Sequence, residues 1–141
     1  MTDFTLSVTV EAPYDAMLAR VRALLADAGF GVLTEIDVQV TLRAKLGVEV
    51  APQRILGACR PQLAHRALQV DHRVATMLPC NVVVTADGDL RTRVEVFDPA
   101  VMTSFSDADE LAEVATDARN RLTGMITSLT GEMEEADAAR A

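Results

Sequence analysis

The chain has 141 residues, half of them hydrophobic, with no Trp and four Phe, so its length fits one domain with an aliphatic core. Its formal net charge of −8 argues against general nucleic-acid binding, because phosphate contacts require a basic surface. No run approaches the roughly 20 apolar residues of a membrane helix, and no secretory signal pattern opens the chain. We therefore expect a cytoplasmic protein that does not enter a membrane.

The first third of the chain alternates predicted strands and helices. Residues 4–10 alternate apolar and polar side chains, which predicts a half-buried strand. Pro13 opens a helix whose apolar residues recur at helical spacing until Gly29. Residues 30–36 predict a second strand.

The next predicted elements surround the first cysteine. Asp37 is a typical N-cap for a short helix that ends at Gly47. Residues 54–59 predict a third strand, in which Gly57 marks either a close backbone approach or a bulge. Pro61 then opens a helix of about residues 62–70.

The remaining chain predicts a hairpin and a long helix. A short helical piece at about 72–78 precedes two strands, 81–86 and 90–97, in which Leu90 shares the inward face with Val94. After Asp98-Pro99, an apolar stripe predicts a long helix that ends near Gly131. We expect one domain over residues 1–131 and a frayed acidic tail over 132–141.

The order of these elements predicts the fold class. Strict strand–helix alternation fails at the hairpin, which disfavours a doubly wound parallel sheet. We predict an α+β fold with a mixed, largely antiparallel sheet of about five strands and with helices packed on one face.

Two cysteines are the best candidates for a site. Cys59 ends a strand and precedes Arg60 and a helix start, where backbone N–H groups and the helix dipole favour a thiolate. Cys80 opens a later strand. The alternative is that each thiol is a small buried hydrophobic side chain. If the two strands are antiparallel neighbours, both cysteines lie at the same end of the sheet; if they are parallel, they lie at opposite ends.

Other polar residues give weaker signals. Glu35 is a candidate base or ligand, or a salt-bridge partner of an arginine or of Lys45. His65 and His72 are seven residues apart and are more typical of surface residues.

The sequence gives only a weak indication of a metal site, because it has neither Cys-x-x-Cys nor His-x-x-x-His, and it indicates no cofactor. Residues 37–73 carry six bases and three acids, which could attract a small anion.

Four segments carry a family resemblance: 29–37 (GFGVLTEID), 55–59 (ILGAC) with Pro61, 78–84 (LPCNVVV) and 98–99 (DP). Through them the chain resembles the bacterial and archaeal family called domain of unknown function 302, from about residue 4 to residue 130. The resemblance implies a compact α+β domain, often dimeric, with no settled activity. Arg60 stands where asparagine is more usual. The residues that match the family pattern are Glu35, Asp37, Lys45, Cys59, Cys80, Asn81 and Asp98.

Three functional hypotheses follow. The leading one is a domain that binds a small molecule, sulfur or a metal at Cys59 and Cys80, with an anionic ligand among the options. The second is a cysteine-dependent redox or nucleophilic enzyme with Glu35 or His65 as base. The third is a non-catalytic homodimer or partner-binding domain that uses the outer edge of the hairpin or the acidic long helix.

Overall fold

The computed structural model describes the backbone of residues 3–140 and the side chains of residues 3–130. The strands are β1 (Thr5–Val10), β2 (Gly31–Asp37), β3 (Gln53–Cys59), β4 (Cys80–Ala86) and β5 (Thr92–Phe97). The α-helices are α1 (Tyr14–Asp27), α2 (Val38–Leu46), α3 (Pro61–Val70) and α4 (Asp109–Arg140). Two 3₁₀ helices span His72–Met77 and Pro99–Phe105.

The five strands form one sheet in the order β1-β5-β4-β3-β2. All four neighbouring pairs are antiparallel. The α+β prediction is confirmed, whereas the expected mixture of pairings is absent from the described chain. β1 and β2 point the same way, but they lie at opposite edges of the sheet and never become a parallel pair.

One face of the sheet carries the main core. α1 and α4 pack on this face, as the sequence predicts from their apolar stripes. Burying aliphatic side chains of this size stabilises the fold by about 1.5–3 kcal/mol each. The fully buried side chains at this interface include Leu56, Val82, Val94, Val96, Val21, Leu25, Leu122 and Leu129.

A second core cluster covers the end of the sheet where β3 finishes and β4 begins. It joins α3, both 3₁₀ helices and the start of α4 through Leu63, Val74, Met102 and Leu111. The sequence predicts α3 correctly. The second 3₁₀ helix, of seven residues, has no predicted counterpart, because so short a helix leaves no clear periodic apolar pattern in the sequence.

The start of β5 and the end of α4 bear on two predicted boundaries. Leu90 is 71% exposed and precedes β5, so its predicted inward orientation is wrong; the alternation of the strand begins only at Thr92. The helical backbone of α4 extends to Arg140, and the tail side chains lie outside the described residues, so the boundary at 131 stays a prediction. No helix in residues 3–140 is long and apolar enough to cross a membrane.

Gly57 allows β3 to lie close to its neighbours. A Cβ at this position would collide with the Thr34 hydroxyl and would lie 2.7 Å from Pro79 Cγ. The bulge itself lies in β2, between Val32 and Thr34. The structure therefore confirms the close approach that the sequence predicts at Gly57.

We expect Gly57→Ala to lower the free energy of unfolding by about 1–3 kcal/mol, because the added methyl group overpacks a closed site. Gly124→Ala is the matched control, because a Cβ on this exposed α4 residue meets nothing within 4 Å. The control should gain about 0.5–1 kcal/mol from helix propensity. Urea denaturation measures both changes, and equal effects of the two substitutions would contradict the packing at Gly57.

Candidate functional site

The pairing of β3 with β4 brings the two cysteines to one end of the sheet. Ala58 lies directly opposite Cys80 across this antiparallel pair, and Cys59 is the next residue along β3. Of the two arrangements that the sequence leaves open, the structure has the one that places both thiols at a common end.

Cys59 and Cys80 both line a cavity of about 50 Å³ between the main core and the second core cluster. A volume of this size accommodates about three or four water-sized groups. The remaining wall is predominantly apolar and comes from α3, α4 and the segments around both 3₁₀ helices. It includes Leu63, Ala67, Met77, Met102, Val114 and Ala118.

The two thiols are protonated at neutral pH. Burial, together with smaller effects of the neighbouring Asp98 and Cys59, raises the pKa of Cys80 to about 11. Its thiol donates a hydrogen bond to the Phe97 carbonyl oxygen, at 3.5 Å. Burial also raises the pKa of Cys59.

The expected stabilisation of a Cys59 thiolate by the start of α3 is therefore wrong. Pro61 has no N–H, and the N–H groups of Leu63 and Ala64 both donate to the Arg60 carbonyl oxygen. The start of this helix thus directs little positive potential at the sulfur atom, and desolvation dominates its pKa.

Arg60 forms part of the cavity wall. Its guanidinium lies against Gly29, where a Cβ would collide with it and where φ is +88°. Its Nε is buried and has no hydrogen-bond partner, and no carboxylate in residues 3–130 pairs with its guanidinium. The sequence marks Arg60 only as a charge beside Cys59; the contact with Gly29, 31 residues away, leaves no local signal.

The acidic candidates form a separate cluster at the other end of β3. Glu35 pairs with Arg22 and, at 2.6 Å, with Arg54, and these arginines lower its pKa to about 2. Asp37 accepts the Val40 N–H as the N-cap of α2 and lies 3.3 Å from Arg54. The salt-bridge and capping interpretations of these two residues are confirmed.

This acidic cluster is remote from the thiols. Cys59 pairs with Gly31 across the sheet, and Glu35 lies four residues further along β2, which corresponds to about 13 Å. Glu35 is therefore out of hydrogen-bond reach of Cys59. His65 and His72 are both exposed, and neither belongs to the cavity wall, so neither predicted base lies at the thiols.

The other predicted residues also separate. Asp98 adjoins Cys80, but it caps the second 3₁₀ helix through the Ala100 N–H and accepts from Arg119. Asn81 is exposed and, one residue after Cys80, points to the opposite face of the sheet. Lys45 is exposed on α2 and has no ion pair within the described chain.

The donor set does not favour a metal centre. Among the described residues, no group of three or more His, Cys, Asp or Glu side chains is arranged to hold a metal ion. Two neutral thiols in an apolar wall are also poor ligands, because metal binding requires the thiolate.

These features define the class of protein: an antiparallel α+β domain with a small thiol-lined cavity at one end of its sheet. The family model described as domain of unknown function DUF302 matches residues 6–129, and the chain belongs to that family. It is similar to the crystal structure of an uncharacterized conserved protein DUF302 from Bacillus stearothermophilus, with 29% identity and a TM-score of 0.80. That similarity covers 89% of this chain and 98% of the other. No curated protein matches the chain.

The raised pKa of Cys80 predicts slow alkylation. In the Cys59→Ala variant, we expect the iodoacetamide rate to rise about tenfold per pH unit through pH 10, because the reactive thiolate forms only near pH 11. The urea-unfolded variant should instead level off above about pH 8.5, the ordinary pKa of cysteine. A plateau below pH 9 in the folded variant, with circular dichroism unchanged, would contradict the burial of this thiol.

The ion pairs of Glu35 make the stability of the fold depend on pH. The pKa of Glu35 is about 2 in the folded chain instead of 4.5. Its ion pairs therefore contribute fully to the free energy of unfolding above pH 4.5, and this contribution disappears as the pH falls toward 2. Glu35→Gln should therefore destabilise the chain at pH 7 but much less at pH 2.5. Glu110→Gln is the control, since its ion pair with Arg66 is exposed and 3.8 Å long. Equal losses for Glu35→Gln at both pH values would contradict the assignment.

Proposed function

We propose that this domain binds a small organic anion whose apolar part enters the cavity between Cys59 and Cys80 and whose charged group contacts Arg60. The observation that carries the proposal is the Arg60 guanidinium, which has a buried, unpaired Nε at the wall of an otherwise apolar cavity.

The cavity restricts the apolar part of the ligand. Its volume of about 50 Å³ fits a chain of about three or four heavy atoms. The neutral thiols and the methionines of the wall are polarisable and form only weak hydrogen bonds. This wall therefore favours an alkyl or thioether group over a sugar or a nucleobase.

Arg60 defines the charged part of the ligand. A buried donor without a partner costs about 1–3 kcal/mol, and an incoming acceptor removes that penalty. The guanidinium fork matches a carboxylate in two parallel hydrogen bonds. Short-chain carboxylates combine both properties and are the class of ligand that we propose.

The other functional hypotheses have less support. A metal site would require thiolates, whereas both pKa values are raised. A cysteine nucleophile would require a base within hydrogen-bond reach, whereas Glu35 is ion-paired with two arginines and His65 does not line the cavity.

A direct test is titration of the ¹⁵N-labelled chain with acetate, butyrate and octanoate, followed by amide chemical shifts. We expect saturable shifts around Arg60, Leu63 and Cys80, with the tightest binding for butyrate, because acetate leaves the cavity empty and octanoate exceeds it. Arg60→Gln should weaken butyrate binding about ten- to hundredfold, the loss expected for charge-assisted hydrogen bonds of about 1.5–3 kcal/mol.

Two variants control this experiment. Arg66→Gln removes a charge from the same helix, but from a side chain that pairs with Glu113 at 3.2 Å, and it should leave binding unchanged. Ala64→Leu should block binding by filling the cavity that Ala64 lines. Unsaturable shifts, or equal affinities of wild type and Arg60→Gln, would overturn the proposal.

A further inference from the structure

A second guanidinium group lies close to Arg60. A Cβ at Gly29 would collide with Nη1 of Arg60 and would lie 3.7 Å from Nη1 of Arg121. Because both nitrogen atoms adjoin the same point, they lie within about 6 Å of each other, a distance at which like charges repel. Arg60 lines the thiol cavity, and so does Ala118, which precedes Arg121 by about one turn of α4. The two arginines therefore converge at one edge of the cavity.

The side chain of Arg121 is fixed by two hydrogen bonds that leave other donors unused. Its Nε donates to Oδ1 of Asp117 at 2.6 Å, and its Nη1 donates to the carbonyl oxygen of Ala28 at 3.1 Å. Ala28 is the C-cap of α1, so the guanidinium is attached to two helices. Its Nη2 has no hydrogen-bond partner within residues 3–130, and a guanidinium has more donors than these two bonds use. Arg121 can therefore bind an anion without giving up its present contacts.

Asp117 offsets one of the two positive charges. It forms an ion pair with Arg121, whereas Arg60 has no carboxylate partner among the described side chains. Arg60, Arg121 and Asp117 together carry a formal charge of +1, which the carboxylate of one ligand balances. A second carboxylate on the ligand would place an excess negative charge close to Asp117, where the two would repel each other.

We propose that Arg121 is a second anion-binding residue of this site and that Asp117 restricts the ligand to a single negative charge. This inference rests on the proposed binding of an organic anion at Arg60, and it narrows the ligand to monocarboxylates. Arg60 and Arg121 share the carboxylate, while the alkyl chain occupies the cavity. Asp117 is a positioning residue: it orients the guanidinium of Arg121 and disfavours a second anionic group.

Butyrate and ethylmalonate form a matched pair of probes, because ethylmalonate is butyrate with a second carboxylate on the carbon next to the first. Affinities follow from amide chemical shifts at pH 8, where both carboxyl groups of ethylmalonate are ionised. We expect wild type to bind butyrate about tenfold more tightly than ethylmalonate, because of the negative charge of Asp117. Asp117→Asn should bind ethylmalonate about as tightly as butyrate, since that charge is gone.

Asp109→Asn is the control for this change of preference. It makes the same chemical substitution on an exposed residue of α4, eight positions before Asp117, and it should keep the preference of wild type. A preference for butyrate that persists in Asp117→Asn would overturn the proposal, because the size of the cavity would then exclude ethylmalonate. Equal affinities of wild type for both probes would overturn it as well.

Substitution of Arg121 tests the second contact. Arg121→Gln should weaken butyrate binding about tenfold, the loss expected for a charge-assisted hydrogen bond. Arg121→Lys should recover part of this loss, because it keeps the charge but not the planar fork. An unchanged butyrate affinity in Arg121→Gln would overturn the role of Arg121 and leave the proposed function intact. Absence of butyrate binding to wild type would overturn both proposals.

Discussion

Ala58 of β3 lies directly opposite Cys80 of β4, and the arrangement of the whole thiol end follows from this register. It makes Cys59 and Cys80 neighbours at the end of the sheet, where α3 leaves and the first 3₁₀ helix returns. The second core cluster then closes over them. A register shifted by one residue would move the side chain of Cys80 to the opposite face, and the cavity would lose one of its two thiols.

The same strand separates two electrostatic environments. At its start, Arg54 bonds Glu35 and Asp37, so the charges there satisfy one another. At its end, burial keeps both thiols neutral and Arg60 has no carboxylate partner in residues 3–130. The unpaired charge therefore lies beside the apolar cavity, which is why we propose a binding site at the thiol end and not at the acidic end.

Local patterns in the sequence determine most of the secondary structure. Asp37 and Gly47 mark the two ends of α2, and Gly57 marks the close approach of β3 to Thr34. The β-strand alternation fails at Leu90, an exposed turn residue that precedes β5 and continues the apolar pattern of that strand in the sequence. The fold class is therefore predictable because it rests on short-range periodicity and capping.

The site is much less predictable, because its parts depend on contacts between distant residues. The helix start next to Cys59 suggests a thiolate. In the structure, Pro61 has no N–H, the N–H groups of Leu63 and Ala64 donate to the Arg60 carbonyl oxygen, and burial raises the pKa of Cys59 instead of lowering it. The sequence suggests Glu35 as a base for the thiols. The pairing of β2 with β3, however, places Glu35 four residues beyond the partner of Cys59. Arg60 and Gly29 are distant in the sequence and come into contact only in the folded chain, so no residue spacing indicates that contact.

The central claim is that one ligand touches the thiols and Arg60 together. Intermolecular nuclear Overhauser effects between butyrate and the ¹³C,¹⁵N-labelled chain measure this most directly. The account predicts contacts from the butyrate methyl group to the Hβ protons of Cys59 and Cys80, together with a shift of the Arg60 Nε–H. Contacts confined to the charged cluster around Arg54, or to the outer faces of the helices, would contradict it.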